Sequence, residues 1–371
     1  MSKEILFEGN TALQWAEKAC QSLMQQHEEP MSLPPANRWH YHQGVFLCGM
    51  HDVWKETEKE EYYTYYKKYV DDLIDEEGNF YFRRDELDAI QPGLLLYPLY
   101  EREGNKKYKV ALDKLRNLLN TINRTKSNGF WHKDKYPYQM WLDGLYMAGP
   151  FTMKYALTFN EPELIDVVLH QEKLMRTHTK SEETGLYYHG WDESASTEWA
   201  VAEKGHAPEV WGRALGWYGM ALTMLIELLP EKHEKRQELI DVLKELVQSL
   251  VKYQDEETGL WYQVVDKANE KDNWLETSCT SLFILTIIRA VNQGYVDSSY
   301  YQYAKKGYEG ILKHKMTIEN DRFILSGVCI GTSIGVYDYY MERETVNNDL
   351  HGAGAFVLAS VQMHHYLHGK I

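Results

Sequence analysis

The chain has 371 residues, 44% of them apolar, with a formal charge of −15 from 55 acidic residues against 40 Lys and Arg. That balance argues against a nucleic acid or an anionic membrane as partner, because phosphate binding needs a basic patch. It leaves room for a local Arg, Lys and His cluster that receives an anionic sugar, and eleven Trp with 28 Tyr supply flat faces suited to a wet pocket as well as a core.

The Met1–Phe7 stretch soon turns polar, unlike a secretory leader, and no apolar run is long enough to span a bilayer. Cys20, Cys48, Cys279 and Cys329 are scattered, which reads as buried thiols. A cytoplasmic protein is the expectation, since thiols persist in a reducing compartment.

Four segments then repeat one pattern: Glu77–Phe82, Asn128–His132, Thr184–His189 and Thr258–Tyr262. Each sets a Gly-centred turn before a short aromatic extended piece, and a polar stretch and a long helical pattern follow. The helical patterns begin around Asp88, Asp143, Val210 and Trp274. Their companions run from Tyr62 to Leu73, Lys106 to Leu119, Ile165 to His178, Lys235 to Tyr253 and Tyr300 to Leu312. The companions are amphipathic, whereas the first set is rich in Gly, Ala and large apolar residues, so the companions belong outside and the others inside. Alternation of this kind along the whole chain, without a linker-like break, predicts one all-α domain over residues 1–371, a closed ring of about six helical hairpins. An open helical solenoid is the structural alternative. Closure would gather Asp88, His132, Asp143, His189 and Arg213 into one cleft. It would also bring the Arg38–Gln43 segment against Asn347–Gly354, two stretches otherwise read as caps and close helix packing.

Asp143 stands in Tyr136-Pro-Tyr-Gln-Met-Trp-Leu-Asp-Gly-Leu-Tyr-Met147, among aromatic side chains where a helix begins. Burial there raises a carboxyl group's proton affinity, which suits a general acid, although a helix N-cap is the simpler role. Asp88 lies beside Asp85 at another helix start, and either could be the cap with the other turned inward. Two carboxylates on one ligand would separate their proton affinities. Arg213 and Trp217, four residues apart, share a helix face. Either the Arg stem packs on Trp, or Arg213 holds a carboxylate while Trp217 covers a sugar face. His132, Lys133 and His189 sit in the aromatic turns, where an isolated His is ordinarily just hydrogen-bonded.

Other motifs fail. Gly327–Ser333 lacks the Gly-Lys-Ser/Thr of a phosphate loop, the serines lack a nucleophile elbow, and no His-Glu-x-x-His or paired-Cys spacing occurs. His40 and His42 alone are weak metal evidence, so no required metal is expected.

Across Pro34–His40, Phe82–Ala89, Tyr136–Met147, Trp211-Gly212-Arg213 and Asn348–Gly354 the chain resembles the unsaturated rhamnogalacturonyl hydrolases of glycoside hydrolase family 105, relatives of the family 88 unsaturated glucuronyl hydrolases. The resemblance covers nearly the whole chain. It implies an (α/α)6 toroid without cofactor. It also implies release of an unsaturated galacturonyl residue from a rhamnogalacturonan disaccharide or short oligosaccharide by hydration of the C4=C5 double bond, as part of pectin degradation. It makes Asp143 the proton donor and Asp88 its support, with Tyr41, His132, Lys133, His189, Arg213 and Trp217 as substrate contacts and Arg213 as the preferred carboxylate partner. Trp191–Glu193 and Glu198–Ala200 either border the second sugar or form a surface loop. The alternatives are an unsaturated glucuronyl hydrolase with another aglycone, a conventional exo-glycosidase, a sugar epimerase or a noncatalytic carbohydrate-binding scaffold. A monomer is the default state.

Overall fold

The computed structural model describes residues 6–81 and 86–369, so residues 82–85, which include the Asp85 alternative, lie outside the described residues. In chain order the helices are α1 (Ala12–Gln26), α2 (Tyr41–Thr57), α3 (Glu60–Asp71), α4 (Leu96–Glu103), α5 (Lys106–Leu118), α6 (Gly144–Phe159), α7 (Glu163–Thr179), α8 (Gly212–Leu228), α9 (Arg236–Leu250), α10 (Thr277–Asn292), α11 (Tyr301–His314), α12 (Tyr337–Met341) and α13 (Leu350–His368). Helices α6, α8, α10 and α13 are buried along most of their length, whereas α5, α9 and α11 bury one stripe. The first group can only sit inside and the second only outside.

The inner helices pack in the order α2, the 3-10 turn at Gln91–Leu95 leading into α4, α6, α8, α10 and α13, and α13 returns to α2. Outside them α1, α3, α5, α7, α9 and α11 form the second layer. The fold is therefore an (α/α)6 toroid, and the solenoid alternative is excluded by the α2–α13 contact.

Closure depends on Gly354. A Cβ there would lie 2.6 Å from the Phe46 nitrogen and 2.7 Å from its Cα, so the α2 backbone occupies the space a side chain needs. Gly354→Ala is expected to destabilise the protein by about 2 kcal/mol net, overpacking outweighing a helix-propensity gain of about 1 kcal/mol. The check is the denaturant midpoint, and an unchanged or raised midpoint would mean the seam is loosely packed.

The repeated turns are present with one difference. Gly78, Gly185 and Gly259 take φ of 75°, 71° and 77°, but in the second turn Asn128 takes the left-handed position at φ 66°. Asn tolerates that conformation, so the glycine beside it is used for space: a Cβ on Gly129 would meet Met140 Sδ at 2.3 Å. The first three aromatic pieces are single bridges, Ile74 to Phe80, Arg124 to Phe130 and Lys180 to Tyr187, and the fourth, Trp261–Tyr262, is a two-residue strand.

The pattern beginning at Asp88 also differs from expectation, because it opens as 3-10 turns at Leu87–Ala89 and Gln91–Leu95 before α4. Pro92 has no N–H for the helical ladder and Gly93 is a poor helix former, so the regular helix starts late. Antiparallel ribbons lie among the loops: β1 (Gln139–Trp141) with β2 (Gly190–Asp192), and β3 (Trp261–Tyr262) with β4 (Leu275–Glu276). Further along are β5 (Met316–Glu319) with β6 (Arg322–Leu325), and β7 (Val328–Cys329) with β8 (Thr345–Val346). Among the described residues no helix is long and apolar enough to cross a membrane.

Candidate active site

At the loop end of the inner ring lies a cleft of about 260 Å³, lined in part by Tyr41, Asp88, His132, Lys133, Asp143 and Arg213. The β1–β2 ribbon builds its centre. Trp141 pairs with Gly190, and the Leu142 N–H donates to the His189 carbonyl at 2.9 Å, which sets the residue after β1 beside the residue before β2. Asp143 and His189 are thereby neighbours despite 46 residues of separation, the difference of their numbers. Asp143 occupies the N-cap position of α6, yet its φ of −55° and ψ of −34° are helical and its side chain caps nothing. The capping role is thus not what holds it there. Its Oδ2 faces His189 Nε2 at 3.4 Å, too long and too poorly aligned for a formed hydrogen bond.

His189 has no exposed surface, and its Nδ1 lies 2.7 Å from the Tyr340 hydroxyl. Burial pushes its imidazole below the ordinary value despite Asp143. For Asp143, burial pushes the carboxyl up, but contact with His189 and the charges of His189 and His132 bring it below the usual carboxylate range. The expectation of a raised carboxyl is therefore corrected for the free cleft: aromatic neighbours desolvate the group, and imidazoles that the sequence keeps far apart offset that desolvation.

A second local structure fixes Asp88. The Glu86–Lys133 bridge lays the Asp88 turn against the His132–Lys133 segment. His132 Nε2 is 3.1 Å from Asp88 Oδ1, and Lys133 Nζ forms a short ion pair with Oδ2. Burial pushes the Asp88 carboxyl up, but the Lys133 and His132 charges hold it well below the usual range. Asp88 is a fixed anion, and Asp143 is the carboxylate that has no lysine or arginine partner among the described residues. Among the described residues lining the cleft these are the carboxylates. Cations outnumber them, since Lys133, Lys135, Arg213 and Arg343 share the same walls, so the cleft is a positive site in an acidic protein.

The sequence profile of Glycosyl Hydrolase Family 88 matches residues 15–367. The chain belongs to this family. A family 105 glycoside hydrolase from C. acetobutylicum is similar at 34% identity and a TM-score of 0.89, with 94% of this chain and 99% of that one covered. A possible family 105 member from Salmonella enterica is 25% identical with a TM-score of 0.82, over 99% of this chain and 96% of the other. The unsaturated rhamnogalacturonyl hydrolase YesR of Bacillus subtilis is 25% identical over 303 residues, 80% of each chain.

This family 88 glycoside hydrolase assigns some of the expected contacts differently. Trp217 has no exposed surface and stacks on Tyr146, with centroids 4.7 Å apart and planes at 7°, so it supports the floor and covers no sugar face. The member of that layer that lines the cleft is Tyr41, itself largely buried and edge-on to Trp217 at 6.4 Å. Trp141 and Trp211 line the cleft instead, with His132 stacked on Trp141 at 4.3 Å. His189 stands behind Asp143, outside the cleft wall. Arg213 lies over Trp211, 4.4 Å from the ring, and its two amino groups donate to the Cys329 and Ile330 carbonyls at 2.6 and 2.8 Å. Two of its donors are thus already committed to the chain itself, and a ligand carboxylate meets only what remains of the fork.

Several wall residues escaped the sequence reading. Gly331, Thr332, Ser333, Tyr339 and Arg343 close one side, and Arg343 ties that loop by donating to the Gly331 carbonyl at 2.5 Å. The available signal was a Gly- and Ser-rich stretch ahead of the Tyr337–Tyr340 aromatic run, which attracted attention only as a failed phosphate loop. The Trp191–Glu193 segment is tied down away from the cleft. Trp191 stacks on His178 at 3.7 Å, Asp192 accepts from the Ser194, Ser196 and Thr197 N–H groups, and Glu193 accepts from Lys126 and Ser127.

At the ring seam the expected meeting of the chain ends takes place. One Asp349 oxygen lies 2.8 Å from both His42 Nδ1 and His351 Nδ1. These three are the group among the described residues whose donor atoms lie close enough together to hold a metal ion. The carboxylate oxygen sits between the two rings at ion-pair distance, and His351 Nδ1 makes no aligned hydrogen bond to it.

Proposed function

We propose that this hydrolase releases the unsaturated galacturonyl residue from rhamnogalacturonan disaccharides or short oligosaccharides by hydrating its C4=C5 double bond. The observation that carries the reading is the inequality of the two cleft carboxylates. Ordinary glycoside cleavage divides the work between an acid and a second carboxylate that acts as base or nucleophile. Here both Asp88 oxygens are engaged, Oδ1 by His132 and Oδ2 by Lys133, so it is not free to serve as that base or nucleophile, and Asp143 is left as the group able to exchange a proton. Hydration of a double bond needs only one such group, because addition of water to C5 by itself makes the glycosidic bond unstable.

In this mechanism the uronate carboxylate enters the cationic cleft between Lys133, Arg213 and Arg343. Its negative charge and the exclusion of water both raise Asp143, opposing the imidazoles that depress it in the free enzyme. Protonated Asp143 gives its proton to C4, and positive charge develops at C5 and the ring oxygen. Water adds at C5 while the Asp143 carboxylate takes up its proton. The resulting hemiketal opens, the adjoining sugar leaves, and a keto-uronate remains. Asp88 holds hydroxyl groups and polarises water, as a fixed anion can without titrating. The similarity to YesR supports the galacturonyl-rhamnose assignment over other aglycones. The reading includes a monomer working in the cytoplasm, in keeping with four cysteines that are all free.

The test is incubation with the unsaturated galacturonyl-rhamnose disaccharide and its saturated counterpart, following loss of double-bond absorbance and release of rhamnose. The expected result is turnover of the unsaturated compound alone, with deuterium at C4 when the reaction runs in heavy water. Turnover of the saturated disaccharide would overturn the hydration mechanism.

A further inference from the structure

Behind Asp143 the hydrogen bonds leave little freedom in where the protons sit. Tyr340 has no exposed surface, and its hydroxyl oxygen accepts the Gly335 N–H at 3.1 Å and lies 2.7 Å from His189 Nδ1. A tyrosine hydroxyl has one proton to give. Among the described residues, His189 Nδ1 is its one hydrogen-bond acceptor. Were Nδ1 protonated, the hydroxyl proton would be buried without a partner, at a penalty comparable to a lost hydrogen bond. The hydroxyl therefore donates to Nδ1, and the single proton of a neutral imidazole sits on Nε2, the nitrogen 3.4 Å from Asp143 Oδ2.

We propose that Tyr340 is a positioning residue that locks His189 in the neutral Nε2–H form, so that Asp143 faces a neutral donor and not an imidazolium. Forming the imidazolium would require Nδ1 to gain a proton and the tyrosine hydroxyl to surrender its acceptor. The arrangement is rigid, because the His189 ring packs on Trp211 at 4.4 Å and Trp211 stacks on Tyr340 at 5.8 Å and 21°. The charged and titratable groups facing the pair are Asp143 and His132 from the β1 side, Arg213 from α8, and Glu209 and Tyr339 beside Tyr340. Arg213 opposes a charged imidazole in the same sense as the tyrosine. A neutral His189 removes the charge part of what depresses Asp143 and leaves only its N–H contact, so the acid can more readily hold its proton once substrate arrives.

This inference rests on Asp143 being the proton donor, and its test is arranged so that the two can fail separately. The first readout needs no substrate: the 15N spectrum of the imidazoles in the intact protein, with the His189 signal assigned by its loss in His189→Gln. The expected wild-type pattern is protonated Nε2 and unprotonated Nδ1 across the neutral range, and an Nδ1–H tautomer or an imidazolium at pH 7 would overturn the proposal even if the hydrolase turns over its substrate. The second is Tyr340→Phe, which keeps the ring and removes the donor. Its His189 signal is expected to show proton uptake at higher pH than wild type. The basic limb of its kcat profile should move down by about one pH unit, a tenfold loss of rate above that limb. KM should stay within about twofold, since Tyr340 does not line the cleft. An unmoved limb together with an unchanged His189 titration would reduce Tyr340 to packing and sink the inference.

Discussion

Asp143→Asn is expected to lower kcat on the unsaturated disaccharide by ~10³ or more while leaving KM within a few-fold, the signature of a group used in the transition state rather than in holding substrate. The amide keeps the shape of the carboxylate but has no acidic proton to give C4 and cannot take one from water. Stability should change by less than about 1 kcal/mol, because the side chain caps no helix N–H and makes no aligned hydrogen bond whose loss would leave a buried partner stranded. The measurement pairs the double-bond absorbance assay with thermal unfolding of the same preparation. A variant that unfolds at the wild-type temperature and retains more than a tenth of the rate would remove Asp143 from the role of proton donor.

The toroid was legible because its signals are local. Amphipathic stripes mark α5, α9 and α11, and the turn glycines Gly78, Gly185 and Gly259 mark the returns. Asp143 was legible for the same reason, since its aromatic neighbours adjoin it in sequence. The errors concern direction. A spacing of four says that Arg213 and Trp217 share a helix face, but not that the face tilts so that Trp217 goes under Tyr146 and Arg213 reaches across to β7. Nor can sequence show that His189 stands behind the acid and not before the substrate, because its depth is set by Tyr340, 151 residues away. The depressed carboxyl of Asp143 belongs to this class as well: the desolvating residues are local and the offsetting imidazoles are not.

Arg213→Met should be the most damaging substitution outside Asp143, and for a reason unlike simple loss of a substrate contact. Arg213 is 1% exposed, and its amino groups hold the Cys329 and Ile330 carbonyls while Glu276 accepts the Cys329 N–H at 2.9 Å. The β7 strand is thus pinned from both sides, and the next residues are Gly331, Thr332 and Ser333 of the cleft wall. Removing the guanidinium leaves the buried Cys329 carbonyl unpaired and the Ile330 carbonyl with the Thr332 hydroxyl at 2.8 Å, so a stability loss of about 2 kcal/mol is expected. The same change removes positive charge from the wall facing the uronate, and kcat/KM should fall by ~10³. Arg213→Lys separates the two roles. A lysine restores the charge but offers a point donor in place of a planar fork, so it can satisfy one carbonyl well and not both. It is expected to recover part of the stability and to leave KM raised about tenfold or more, because the Gly331–Ser333 loop would still be loosely held. Denaturant unfolding and steady-state kinetics on the three proteins decide the matter. If Arg213→Lys behaves as wild type in both, the fork geometry is irrelevant and the residue acts as charge alone. If Arg213→Met keeps the wild-type midpoint, the two carbonyl bonds carry no weight in holding the wall.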